Sequence, residues 1–169
     1  IVAAYGLLIP NHILNVARRG TLNIHPSLLP KLRGPSPLQA SILSGEESTG
    51  VSIMLLDAEL DHGPIVAQTP YTMKPGETFE TLYETLAHMG GETLASLIPA
   101  WVEGRLTAQE QNHPEATFTK KFITEDGLID FKTMSGEEVD RRVRALNPEP
   151  GTYALFENGE KPLRVKILK

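Results

Sequence analysis

Through residue 71 short apolar runs alternate with breaks rich in glycine and proline, and beyond it apolar positions recur at helical spacing. Residues 1–9 read as a buried strand, clearest over 1–5. Pro10 suits a first helical turn, so a short helix is expected from about Pro10 to Ala17, with Gly20 closing the segment. A strand over 21–25 runs into a loop holding Pro26, Pro30, Gly34 and Pro35. Pro37 opens a helix to about Leu43 that stops near Gly45. Val51, Ile53 and Leu55 alternate with smaller or softer residues, which predicts a half to fully buried strand over 50–57. A strand over 64–71 places Ile65, Ala67 and Thr69 on one face.

Thr78 is placed to cap a helix carrying Phe79, Leu82, Tyr83 and Leu86 at helical spacing. The stripe continues through Leu94, Leu97, Ile98, Trp101 and Val102, past a Gly90-Gly91 pair that either breaks the helix or lets it pack closely on a neighbour. Met89 and Trp101 read as core. Residues 104–122 are polar, with Gly104, Gln109, Gln111, Asn112 and Pro114, and read as a linker crossing the surface. Ser135 followed by Glu138 forms a capping-box pattern for a helix through Val139, Val143 and Leu146, which Pro148 and Pro150 end. Two apolar runs around Tyr153 and Val165 flank Asn158-Gly159, a hairpin signal, so the tail reads as the opening of a β-rich domain. The sum is an α/β fold with a largely parallel sheet. Active groups in such sheets gather beyond the carboxyl ends of strands, where Asn23, His25 and Asp61 are expected.

Hydrophobic residues make up 40% and charged residues 22% of the 169 positions, enough apolar content for a real core. No apolar run approaches the ~20 residues that span a bilayer, and there is no cysteine, so a soluble cytoplasmic protein is expected. The chain starts at Ile1 and both ends fall in strand-like sequence, so it reads as a piece cut from a longer protein. Residues 1–117 carry 6 Lys and Arg against 12 Asp and Glu, whereas 118–169 carry 10 against 9. The more basic second half is where an anionic partner, if there is one, would touch, and the alternative reading is a randomly mixed soluble surface. The cluster Arg141, Arg142 and Arg144, with Lys120 and Lys121 upstream, reads either as a phosphate-contacting face or as a solvated helix surface.

Asn23, His25 and Asp61 carry the candidate chemistry. When an amine attacks a formyl group, negative charge develops on the former carbonyl oxygen, and a side-chain amide and an imidazole can both donate hydrogen bonds to it. Asn23 is the neutral donor, and His25 is the stronger one when protonated. Asp61 can raise the imidazole pKa, hold its tautomer, or accept the amine's proton directly or through water. Being two apart, Asn23 and His25 leave an extended strand on one face. Each residue also has an ordinary reading as a turn former or a satisfied core group, and the residues alone leave both readings open. The five histidines lack paired metal-ligand spacing, so no metal is expected. No phosphate-binding glycine loop and no G-x-S-x-G elbow is present.

Four stretches resemble the formyltetrahydrofolate-dependent formyltransferases. They are Leu22-Asn-Ile-His-Pro-Ser-Leu-Leu-Pro30, Lys31-Leu-Arg-Gly-Pro-Ser-Pro-Leu-Gln39, Thr49-Gly-Val-Ser-Ile-Met54 and Leu60-Asp-His-Gly-Pro-Ile65. The resemblance is closest to the branch that formylates initiator methionyl-tRNA. It implies a Rossmann-like formyltransferase domain, here partial, over 1–104, a linker over 105–122, and the start of a β-barrel carboxyl-terminal domain over 123–169. Asn23, His25 and Asp61 are then catalytic, and Ser27, Leu28, Leu29 and Pro30 line the folate site. The implied donor is 10-formyltetrahydrofolate and the implied partner is initiator methionyl-tRNA, with a monomeric protein, no metal and no membrane. Relatives that share the triad act on sugar amines, glycinamide ribonucleotide or water, and a non-catalytic RNA-binding fragment is the competing class. Glu149 departs from the family, which commonly has an aromatic residue between these two prolines.

Overall fold

The computed structural model describes residues 1–6, 9–14, 16–157, 159 and 161–168. Leu7 and Leu8 of the first expected strand, Asn15 of the first expected helix, and Asn158 of the Asn-Gly turn lie outside the described residues. Among the described residues one sheet has the order β1 (Val2–Ala3), β2 (Leu22–His25), β3 (Ser48–Leu55), β4 (Ile65–Thr72). A short helix α1 (Asn11–Leu14) stands between β1 and β2, and α2 (Pro37–Ser44) between β2 and β3. α3 (Phe79–Val102) and α4 (Gly136–Leu146) follow, then a hairpin of β5 (Thr152–Phe156) and β6 (Leu163–Ile167).

The α/β class is as expected, but the largely parallel sheet is not. β1 pairs parallel with β2, whereas β2 with β3 and β3 with β4 are antiparallel. The 56–64 loop is too short for the crossover, about a dozen residues or more, that parallel neighbours need. The reversal matters for the site. Leu55 pairs with Leu22 and His25 pairs with Ser52, so β3 leaves the sheet at the opposite end of β2 from His25. The loop after β3 therefore has to fold back along the sheet before Asp61 can meet His25.

β3 is buried along nearly its whole length, from Thr49 to Met54. Its Val51 and Ile53 share one core with Leu22, Ile42, Leu82 and Leu86. Burying each such side chain contributes about 1.5–3 kcal/mol. α3 begins at Thr78, whose hydroxyl accepts from the Thr81 amide while Thr81 returns a bond to the Thr78 amide. The helix runs unbroken through Gly90-Gly91, so the pair serves close packing. A Cβ at Gly90 would stand 2.7 Å from Ile24 Cγ2 and 3.4 Å from Val51 Cγ1. Met89 and Trp101 pack against this core, half-buried.

α4 opens with the expected Ser135–Glu138 box and packs on α2, and its Ala145 and Leu146 join the same core. The linker does not merely cross the surface. Ile65 and Gln109 exchange backbone hydrogen bonds of 2.8 Å, and Arg33 pairs with the Thr117–Thr119 backbone. No described helix is long and apolar enough to cross a membrane.

The two glycines make a paired test. Replacing Gly by Ala inside a helix gains about 0.8–1.0 kcal/mol, and at Gly91 nothing lies within 4 Å of the new methyl. At Gly90 the methyl meets Ile24, and overpacking costs about 1–3 kcal/mol. Thermal melts should rank Gly91→Ala above the parent and Gly90→Ala below it; equal melting points would remove the close-packing account.

Candidate functional site

β2 ends at His25, and the turn that follows is built around a hydroxyl buried inside the apolar β3. Ser52 Oγ donates to the Ser27 carbonyl at 2.6 Å and accepts from the Leu29 amide at 3.0 Å. Gln68 Nε2 donates to Ser52 Oγ at 2.9 Å and to the Leu29 carbonyl at 2.8 Å. Ser27 Oγ donates to the Lys31 carbonyl at 2.7 Å. Ser27 and Leu29 are sealed, while Leu28 and Pro30 are half-buried. Of the four residues expected on a folate wall, two thus hold the loop's own shape.

His25 is 4% exposed. Its Nε2 lies 3.0 Å from the Leu32 carbonyl, which leaves Nδ1 facing Asp61 Oδ1 at 3.6 Å. Leu32 reaches this position at φ +60°, a left-handed conformation that costs a non-glycine residue about 1–3 kcal/mol. Its amide is held by Thr117 Oγ1 at 2.8 Å. Gly34 next in the loop donates its N–H to Asp61 Oδ2 at 2.7 Å. Gly34 stands at φ +109°, and a Cβ there would fall 2.8 Å from the Thr119 carbonyl oxygen, so only glycine fits. One carboxylate oxygen therefore ties down the Pro-rich loop and the other addresses the imidazole.

Burial pushes the His25 pKa below its ordinary value of 6.5, against the opposing pull of the Asp61 charge and the Leu32 carbonyl. Burial thus favours the neutral ring over the imidazolium that would be the stronger donor. Asn23 sits on β2 two residues before His25, on the same strand face and half-buried. Its side-chain amide makes no hydrogen bond among the described residues.

Sequence reasoning missed Gln111, Arg33 and the two threonines of the linker as site residues. Gln111 Nε2 donates to the Asp61 and Gly63 carbonyls at 2.9 and 2.7 Å, and its Oε1 accepts from Arg33 Nε and Nη2 at 3.1 and 2.7 Å. Nothing in a polar run of residues marks one glutamine as buried. Ser52 was more legible, because a hydroxyl between Val51 and Ile53 needs a partner once the strand is buried.

The arginines that read either as a phosphate-contacting face or as a solvated helix surface have partners within the fold. Arg141 pairs with Glu137, Arg142 with the Asp126 carbonyl, and Arg144 with Asp140 and the Glu77 carbonyl. Among the described residues, no cluster of three or more His, Asp or Glu is arranged to hold a metal ion. Two shallow hollows, of about 170 and 300 Å³, lie near Asn147 and near Lys74 rather than beside His25. The site is a convergence of side chains from the end of β2 and from the 56–64 loop.

A family model described as "Formyl transferase" matches residues 1–98, and one described as "Formyl transferase, C-terminal domain" matches 121–169. A methionyl-tRNA formyltransferase of Marinobacter nauticus is 39% identical over 98% of this chain and 52% of its own length. The chain thus spans about half the length of the curated relatives it matches. Among solved structures, a sugar N-formyltransferase from a Shewanella species is 21% identical with a TM-score of 0.80, over 99% of this chain and 67% of that one. HypX from Aquifex aeolicus, in complex with tetrahydrofolic acid, is 24% identical with a TM-score of 0.70, over 79% of this chain and 23% of that one. At these identities the two structures speak for the fold.

The buried imidazole makes stability depend on pH. The unfolded chain binds the His25 proton more readily than the folded one, so this contribution is intact above 6.5 and declines as pH falls toward the depressed folded value. NMR titration should place the His25 midpoint below 6.5, and Asp61→Asn should lower it further by removing the charge that raises it. A midpoint at or above 6.5 would contradict the burial account.

Proposed function

This chain belongs to the formyl transferase family, and from that membership we propose that it supplies the transfer chemistry of an enzyme that formylates the methionine amino group of initiator methionyl-tRNA. On this reading the protein is a cytoplasmic monomer acting in translation initiation. Residues 1–104 hold the chemistry, 105–122 connect, and 123–169 begin the β-rich domain. The observation that carries the reading is the pairing of buried His25 with Asp61, on the strand face that also carries Asn23, whose amide has no partner among the described residues. The choice of acceptor is supported by relatives about 40% identical across nearly the whole chain that bear that activity in their names.

10-Formyltetrahydrofolate supplies the activated formyl carbonyl. Asn23 donates its amide N–H to the carbonyl oxygen as negative charge develops there, an interaction worth about 10²–10³ in turnover for donors of this kind. Neutral His25, with Nε2 directed at Leu32, presents Nδ1 to take the proton of the attacking amine. Asp61 then stands 3.6 Å from the newly formed imidazolium and stabilises it until the proton passes to the departing nitrogen. Half-buried Leu28 and Pro30 offer the folate a surface, and sealed Ser27 and Leu29 keep that surface in shape.

The test uses the full-length protein in which this sequence occurs. Incubated with formyl donor and a panel of charged initiator tRNA, sugar-nucleotide amine, glycinamide ribonucleotide and water, it should formylate the tRNA in preference to the others. Asn23→Ala and Asp61→Ala should each lose about 10²-fold or more in turnover while tRNA affinity stays unchanged. Preference for a sugar amine would overturn the acceptor, and undiminished turnover in both variants would overturn the triad.

A further inference from the structure

Gln111 lies fifty positions from Asp61 in the chain, in the polar stretch after α3, yet it is only 5% exposed. We propose that Gln111 is a positioning residue for the transfer chemistry: its side chain fixes the backbone of the Asp61 turn and so sets the Asp61 carboxylate against His25. The inference rests on the catalytic reading of Asp61 given above.

Asp61 stands at φ +48°, a conformation a non-glycine residue keeps only when its surroundings hold it there. Gln111 does the holding. The carbonyl oxygens of Asp61 and Gly63 both accept from its Nε2, so one amide spans the turn at Asp61. Its Oε1 is taken by Arg33, which fills the hydrogen-bonding capacity of the side chain and fixes its orientation. Arg33 is itself 3% exposed and bonded through its backbone to Thr117 and Thr119, so the anchor is rigid. A second contact repeats the arrangement one residue along. His113 bonds Arg33 Nη2 at 2.9 Å and stacks on His62, with ring centroids 4.1 Å apart and planes 2° from parallel.

A glutamine that merely satisfied two buried carbonyls would matter for stability alone. A positioning residue also governs how Asp61 and His25 act on each other, and that is measurable apart from folding. Gln111→Met keeps the length of the side chain and removes both polar ends. Gln111→Glu keeps an acceptor for Arg33 while removing the donors to Asp61 and Gly63, and serves where the methionine variant fails to fold.

In the full-length protein, each variant that folds should lose about 10–10²-fold in kcat, the scale expected for misplacing a reacting group by about an ångström. KM for charged tRNA should stay within about twofold. In Gln111→Met the His25 NMR midpoint should fall, because the Asp61 charge that raises it has moved away. In an Asp61→Asn background, Gln111→Met should cost no further rate. A lowered melting point with kcat and the His25 midpoint both unchanged would overturn the proposal. Full turnover in Asp61→Asn would instead overturn the catalytic reading, and the His25 midpoint in Gln111→Met, which needs no turnover, would still decide the positioning.

Discussion

A carboxylate held 3.6 Å from a buried imidazole is the arrangement on which the rest of this structure depends. Neither group would take that position by local preference. His25 gives up solvent, which disfavours its charged form, and Leu32 and Asp61 both adopt left-handed backbone conformations to reach it. At about 1–3 kcal/mol for each such residue, the pair costs a substantial part of what a small domain has in reserve. Hydrogen bonds with two stretches offset it: the Gly34 amide of the Pro-rich loop donates to the Asp61 carboxylate, while in the 109–119 segment Thr117 accepts from the Leu32 amide and Gln111 donates to the Asp61 carbonyl.

The core serves the same end from below. Ser52 stands between Val51 and Ile53 in a strand with almost no exposure, and a buried hydroxyl there is tolerable because it has three partners. Those partners shape the turn that leaves His25. Gly90 lets α3 lie against Ile24 of β2, between Asn23 and His25 in the chain, so the strand that carries the site is clamped between α3 and β3. Packing and chemistry are therefore not separable here.

Antiparallel pairing of β2 with β3 adds a topological demand. The Asp61 loop starts at the far end of β2 and has to return along the sheet, and a loop that returns needs something outside it to press against. The segment from Gln109 to Thr119 supplies this, bonding to Ile65 at one end and to Arg33 at the other. Since that segment leads toward α4 and the β5–β6 hairpin, the site is physically continuous with the second half of the chain. Arg141 and Arg144 of α4, by contrast, pair with acidic and carbonyl partners of the chain itself.

Elements with their own local cause were legible from residue order. Thr78 and Ser135 cap helices through side chains three residues from their targets, Pro37 and Gly45 bracket α2, and alternation marks β3. The candidacy of Asn23, His25 and Asp61 was legible too, through motif residues that lie close together in the chain. The antiparallel sense of the sheet was not, because apolar alternation is the same whichever way a neighbour runs. Nor was the lowered pKa of His25, which depends on how much of the protein closes over it, or the place of Gln111, which looks like any polar loop residue until the fold buries it. Residue order determined which groups are present and which short segments they stiffen. Only the tertiary structure decided which of them meet, because hydrogen bonds across fifty or eighty positions leave no mark on the local pattern.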